Sequence, residues 1–133
     1  MNYELYFEAR GLPQMPNKLN RKHWAVKTKE AKLWKEIVYF NAAPKRPERP
    51  LKKAFIHYER HSSVMPDADG LAASFKHVQD GLKAAGIIID DSPKVIETSH
   101  TWVKCAPSQG KITVRVFSRE PTEDMLLESA QSL

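Results

Sequence analysis

The chain holds a single cysteine, Cys105, among its 133 residues, so no disulfide framework can form within it. No metal-ligand spacing surrounds that cysteine, and it reads as a small core residue in a strand. His57, His61 and His100 form no H-x-x-x-H or similar pattern, which excludes a recognisable zinc motif. His77 reads as a surface residue. No apolar run approaches the ~20 residues of a membrane span, and no signal-peptide core opens the sequence. Repeats and low-complexity blocks are also missing. Together these absences point to one domain in a reducing cytoplasm. Acidic residues are scarce in the first half: residues 1–66 hold 14 Lys/Arg against 6 Asp/Glu, and residues 67–133 hold 7 against 10. A net +8 half followed by a net −3 half gives the total of +5. The basic half attracts polyanions, of which phosphate backbone is the commonest.

Of the residues, 41% are apolar, enough for a real core. Tyr3 to Ala9 alternates and predicts a strand. Residues 11–17 carry Pro13, Pro16 and Asn17 and predict a loop. A strongly basic stretch from Lys18 to Lys29 follows, with Trp24 embedded. Thr28 is placed to cap a helix reaching about Asn41, with Ala31, Trp34, Ile37 and Val38 on its apolar face. Pro44, Pro47 and Pro50 make residues 43–50 a connection without helix or central strand. Lys52 to Arg60 alternates again, and residues 61–66 read as a loop. Asp69 is placed to cap a helix over about 70–84, with Leu71, Phe75, Val78 and Leu82 inward. Gly86 suits a left-handed cap. Ile87 to Ile89 reads as a short buried strand, Asp90 to Pro93 as a turn. Residues 95–104 and 111–118 read as two strands joined at 107–110 in a hairpin. The order predicts an α+β domain over residues 1–118, with helices packed on a small mixed sheet. Residues 119–133 form an acidic C-terminal tail, either a short helix or frayed.

Asp67 and Asp69 precede the second helix, and Asp90 and Asp91 follow the apolar run about two dozen residues later. Carboxylates this dense repel one another unless a cation sits among them. A hard divalent ion such as Mg²⁺ takes oxygen ligands and keeps several waters. If the strand end lies beside the helix start, three or four carboxylates meet, as phosphodiester cleavage would require. Spacing alone also allows a plainer reading: Asp67 and Asp69 as loop and cap residues, Asp90 and Asp91 as an ordinary turn. Lys76 is placed either to touch phosphate or to stand in solvent, and Asp80 is spaced to pair with it. Trp34 reads as core and Trp102 as packing or dimer interface. Trp24, among Arg21, Lys22, His23 and Lys27, is open between surface and nucleic-acid contact.

Asp67-Ala-Asp69-Gly70-Leu71, Lys76, Asp80-Gly81-Leu82, Ala85-Gly86-Ile87-Ile88 and Asp90-Asp91 resemble the core of the RusA family of Holliday junction resolvases, often encoded by prophages. The opening from Pro13 to Asn17 with its basic continuation is similar too. The resemblance implies a homodimer that uses Mg²⁺, with Mn²⁺ as a substitute, to nick a four-way DNA junction in pairs during recombination and repair. It implies that Asp67, Asp69 and Asp91 hold the metal and are catalytic, that Asp90 assists, and that Lys76 is the catalytic lysine. It further implies phosphate contacts from Asn17, Lys18, Arg21, Lys22 and Lys27. Two departures stand out. Gly70 occupies a position where the family usually has Asn, and the Asp69–Lys76 stretch is about three residues longer than in the best-known member. The insertion allows the helix to start later, near Ala72 or Ser74. The competing expectations are a non-catalytic branched-DNA-binding protein of the same fold, and a nuclease of that fold acting on other branched DNA or RNA.

Overall fold

The computed structural model describes residues 3–15 and 24–119. Four strands form one mixed sheet: β1 (Glu4–Arg10), β2 (Ala54–Ser62), β3 (Ile96–Lys104) and β4 (Lys111–Ser118), in the order β1-β4-β2-β3. β4 runs antiparallel to both β1 and β2, whereas β2 and β3 are parallel. A parallel pair needs a long crossover, and two short helices supply it: α2 (Ala68–Ala73) and α3 (Lys76–Ala84). The remaining helix, α1 (Trp24–Ala42), runs into a 3₁₀ turn at Ala43–Lys45.

Period-two alternation decides which face is covered. Leu5 and Phe7 of β1, Ile56 and Tyr58 of β2, and Val114 and Val116 of β4 are all buried and in register. Trp34 and Val38 of α1 and Phe75, Val78 and Leu82 of the crossover close over them in one core. No described helix packs on the opposite face, which carries Glu8, His57, Glu59 and Arg115. This is the expected α+β arrangement of helices on a small mixed sheet. Among the described residues, no helix is long and apolar enough to cross a membrane.

Several boundaries differ from expectation. α1 already includes Trp24, and the Thr28 hydroxyl donates to the Trp24 carbonyl 2.9 Å away inside the helix, so Thr28 is not its cap. β2 continues through Ser62. The crossover is two helices, not one, and its first turn begins at Ala68, earlier than the insertion allowed. Asp67 holds the cap position and Asp69 lies in the first turn. The break falls at Ser74-Phe75, where the Ser74 hydroxyl donates to the Leu71 carbonyl at 2.8 Å. The expected hairpin at 107–110 is absent, because β2 lies between β3 and β4. Gly86 does end α3 in a left-handed cap at φ 81°. Its N–H donates to the Lys83 carbonyl and that of Ile87 to the Leu82 carbonyl, the Schellman pattern. Ile87–Ile89 contributes only an isolated parallel bridge, Ile88 to Leu51.

Candidate functional site

Strand direction places the acidic residues. Asp67 comes five residues after Ser62, the last residue of β2. Asp90 follows Ile89, whose N–H donates to the Leu51 carbonyl at 3.0 Å, while the Leu51 N–H donates to the Ile87 carbonyl at 2.9 Å. Leu51 precedes the first residue of β2, Ala54. The two pairs therefore sit at opposite ends of β2. Nine strand residues, or the helical crossover between the pairs, span roughly 25 Å. The expectation that the strand end would lie beside the helix start does not hold within one chain: the crossover carries the polypeptide the full length of the sheet before Asp90. Among the described residues no group of three His, Cys, Asp or Glu side chains is placed to hold a metal ion.

Asp67 and Asp69 are both exposed, two residues apart at the start of α2. Gly70 lies under them. A Cβ on Gly70 would overlap the Asp67 Oδ1 and come within 2.6 Å of the Met15 Cε. A side chain at this position would therefore displace the Asp67 carboxylate. Lys76 is exposed and opens α3. It stands seven residues after Asp69, about 10 Å of helical rise, with the Ser74-Phe75 break between them. Asp80 approaches His77, 3.9 Å away, and not Lys76. At the other end Asp90 takes the Lys83 ammonium at 3.2 Å. The Asp91 backbone N–H, and then Lys83, hold the Asp90 carboxyl below its ordinary range. Asp91 is exposed.

Of the expected phosphate contacts, Asn17, Lys18, Arg21 and Lys22 lie outside the described residues. Lys27 belongs to α1 and not to a loop. Both flanks of the basic segment stand at the Asp67–Asp69 end of the molecule. On one flank is Met15, against Gly70. On the other is the first half of α1, where the Glu30 carboxylate accepts the Gln14 N–H at 2.9 Å and the Trp34 indole N–H at 3.1 Å. Trp24 is 70% exposed, and Trp34 is core as expected. Trp102 packs at the core edge, its indole N–H donating to the Ser62 hydroxyl at 2.9 Å. Cys105 is half-buried and lies just beyond β3.

Two features at this end were not singled out from sequence. Arg60 occupies an inward position of β2 and is 6% exposed. Its guanidinium donates to the Pro13 carbonyl at 2.7 Å. The signal was present, since a charged residue continues the inward series Ala54, Ile56, Tyr58. The second is a ring stack. Tyr58 lies 4.7 Å from Phe75 and 5.2 Å from His100, ring centroid to ring centroid. Burial, followed by the nearby His57, pushes the His100 pKa down. No protein-family model matches the chain, and no curated protein matches its sequence.

Proposed function

We propose that this chain is a Mg²⁺-dependent, structure-selective DNA endonuclease that resolves four-way junctions as a homodimer. The observation that carries the reading is the shared location of two charges of opposite purpose. The exposed Asp67–Asp69 pair and both flanks of the basic segment stand at one end of the molecule, joined by the Met15–Gly70 contact. A phosphate held by lysine and arginine there would be presented to two carboxylates.

The donor chemistry fits a hard divalent ion: exposed carboxylate oxygens, with room for the waters Mg²⁺ retains. Among the described residues the count does not fit within one chain, because Asp90 and Asp91 are at the far end. A homodimer offers a way for them to meet, with Asp91 of one copy completing the Asp67–Asp69 pair of the other. When bound, the metal would supply an activated water and offset charge on phosphate. Asp67, Asp69 and Asp91 would hold it, Asp90 would assist, and the Lys76 ammonium would stand against the phosphate charge. A two-fold dimer presents two equivalent sites to two equivalent strands, the requirement for paired nicks.

That no third carboxylate joins the Asp67–Asp69 pair among the described residues favours one other reading, a branched-DNA-binding protein without turnover. A synthetic four-way junction with a mobile core, incubated with Mg²⁺ or Mn²⁺ beside an Asp69→Asn control, separates the two. The nuclease reading expects paired nicks in opposing strands that need metal and vanish in the control. Tight, salt-sensitive binding with no nicks under either metal would sink it in favour of the binding protein. Flaps, linear duplex and RNA in the same assay would reveal a different branched substrate.

A further inference from the structure

Arg60 is a charge in the core of a protein that could have placed an apolar side chain there. It lies between Ile112 of β4 and Trp102 of β3 in the sheet register. Desolvating a guanidinium costs several kcal/mol, and burial pushes its pKa down. Among the described residues no carboxylate forms an ion pair with it; its 2.7 Å bond goes to the Pro13 carbonyl.

That bond is the first of three successive fastenings. Pro13 is tied to β2 through Arg60. Gln14 is tied to α1 through Glu30, whose carboxylate is itself steadied by the Trp34 indole. Met15 is packed on the Gly70 turn beside Asp67. Three adjacent residues are thereby attached to three different elements, immediately before the basic segment begins. Pro13 offers no N–H of its own, so its carbonyl is the polar backbone group by which the sheet can grip it.

We propose that Arg60 is a positioning residue: through Pro13 it sets the root of the basic segment, and with it Met15, against the Asp67–Asp69 turn. Its consequence for cleavage rests on the nuclease reading; the fastening does not. Misplacing a bound phosphate by about 1 Å is enough to cost up to a hundredfold in rate, so a core arginine far from the chemistry can govern it.

Methionine methyl NMR on the full chain tests the idea, with Met15→Leu assigning the signal and the 72% exposed Met65 as internal reference. Arg60→Leu fills the same apolar space without the donor, and Arg60→Lys keeps a cation able to donate. In Arg60→Leu the Met15 methyl is expected to move to the position of an exposed methionine, while cooperative melting persists. In Arg60→Lys it is expected to return toward the wild-type position. An unmoved Met15 signal in folded Arg60→Leu would overturn the proposal. So would loss of cooperative melting, which would make Arg60 simply a core stabiliser. In the junction assay Arg60→Leu should nick roughly tenfold more slowly or worse, with junction affinity held within about threefold. If the wild type binds junctions without nicking, the nuclease reading fails and the methyl result still decides the fastening.

Discussion

The Asp67 carboxylate occupies the space that a side chain on Gly70 would need. A Cβ there would overlap Oδ1 and reach 2.6 Å from the Met15 Cε. Both atoms are the ends of flexible side chains, so they can yield, and the substitution moves the carboxylate without breaking the fold. Gly70→Asn should leave the melting temperature nearly unchanged, the change in stability staying within about 1 kcal/mol. Nicking should fall roughly tenfold or more, because Asp67 is displaced. Thermal melting and junction cleavage on the same preparation check both halves; full activity with Asn at 70 would show that Asp67's present position is not required.

Opposite placement of the two acidic pairs makes the dimer testable by mixing. Asp69→Asn and Asp91→Asn are each expected to be inactive alone. Mixed and allowed to exchange subunits, they should recover nicking, since one of the two shared sites in a heterodimer is then intact. A mixture as dead as its components would show that each site draws its carboxylates from one chain; nicking by Asp91→Asn alone would show that Asp91 has no part in it.

Lys76 is exposed at the first position of α3 and makes no ion pair among the described residues. Lys76→Ala should change stability by no more than about 0.5 kcal/mol. It is expected to cut the nicking rate far more than junction binding. Equal losses in both would place the lysine in binding alone.

At Gly81 α3 lies close against α1. A Cβ would come 2.8 Å from the Val38 Cβ and 3.3 Å from the Lys35 Cα. The first lies in the core and the second is backbone, so neither can move freely. Gly81→Ala gains about 1 kcal/mol in helix propensity but forces the helices apart at a cost of ~1–3 kcal/mol. Net destabilisation is expected, read as a lower urea midpoint. A raised midpoint would mean that the helices separate without cost.

His100, stacked on Tyr58, carries a pH dependence whose sign follows from its burial. Burial holds its folded pKa below the ordinary value near 6.5. As pH falls through about 6.5, the unfolded chain takes up a proton there before the folded one does. Stability is therefore lost on acidification from about pH 7.5, until the folded pKa is reached. His100→Phe, which preserves the stack, should flatten that part of the melting-temperature profile. An identical slope in the variant would assign the effect to other groups.

Local patterns were legible without the fold. Alternation in Leu5, Phe7 and Ala9 and in Ile56 and Tyr58 marks the inward face, because a pleated strand turns successive side chains to opposite sides. Leu71, Phe75, Val78 and Leu82 mark a helical face for the corresponding reason, and Gly86 marks the stop because φ 81° suits a residue without Cβ. All of these depend on neighbours a few residues apart. The break at Ser74-Phe75 was not visible in the same way, since an unbroken apolar stripe runs through it.

Nothing local says which strands pair. Residues 107–110 carry the residues of a turn, yet β2 lies between the strands they join. The hydrophobic face of β4 is satisfied equally well beside β2, and only the whole core chooses. The acidic residues follow the same division. Their identities and their pairing as Asp67–Asp69 and Asp90–Asp91 belong to the sequence. Their separation belongs to the tertiary structure: a parallel β2–β3 pair obliges the crossover to traverse the sheet, and that traverse carries Asp90 to the far end from Asp67.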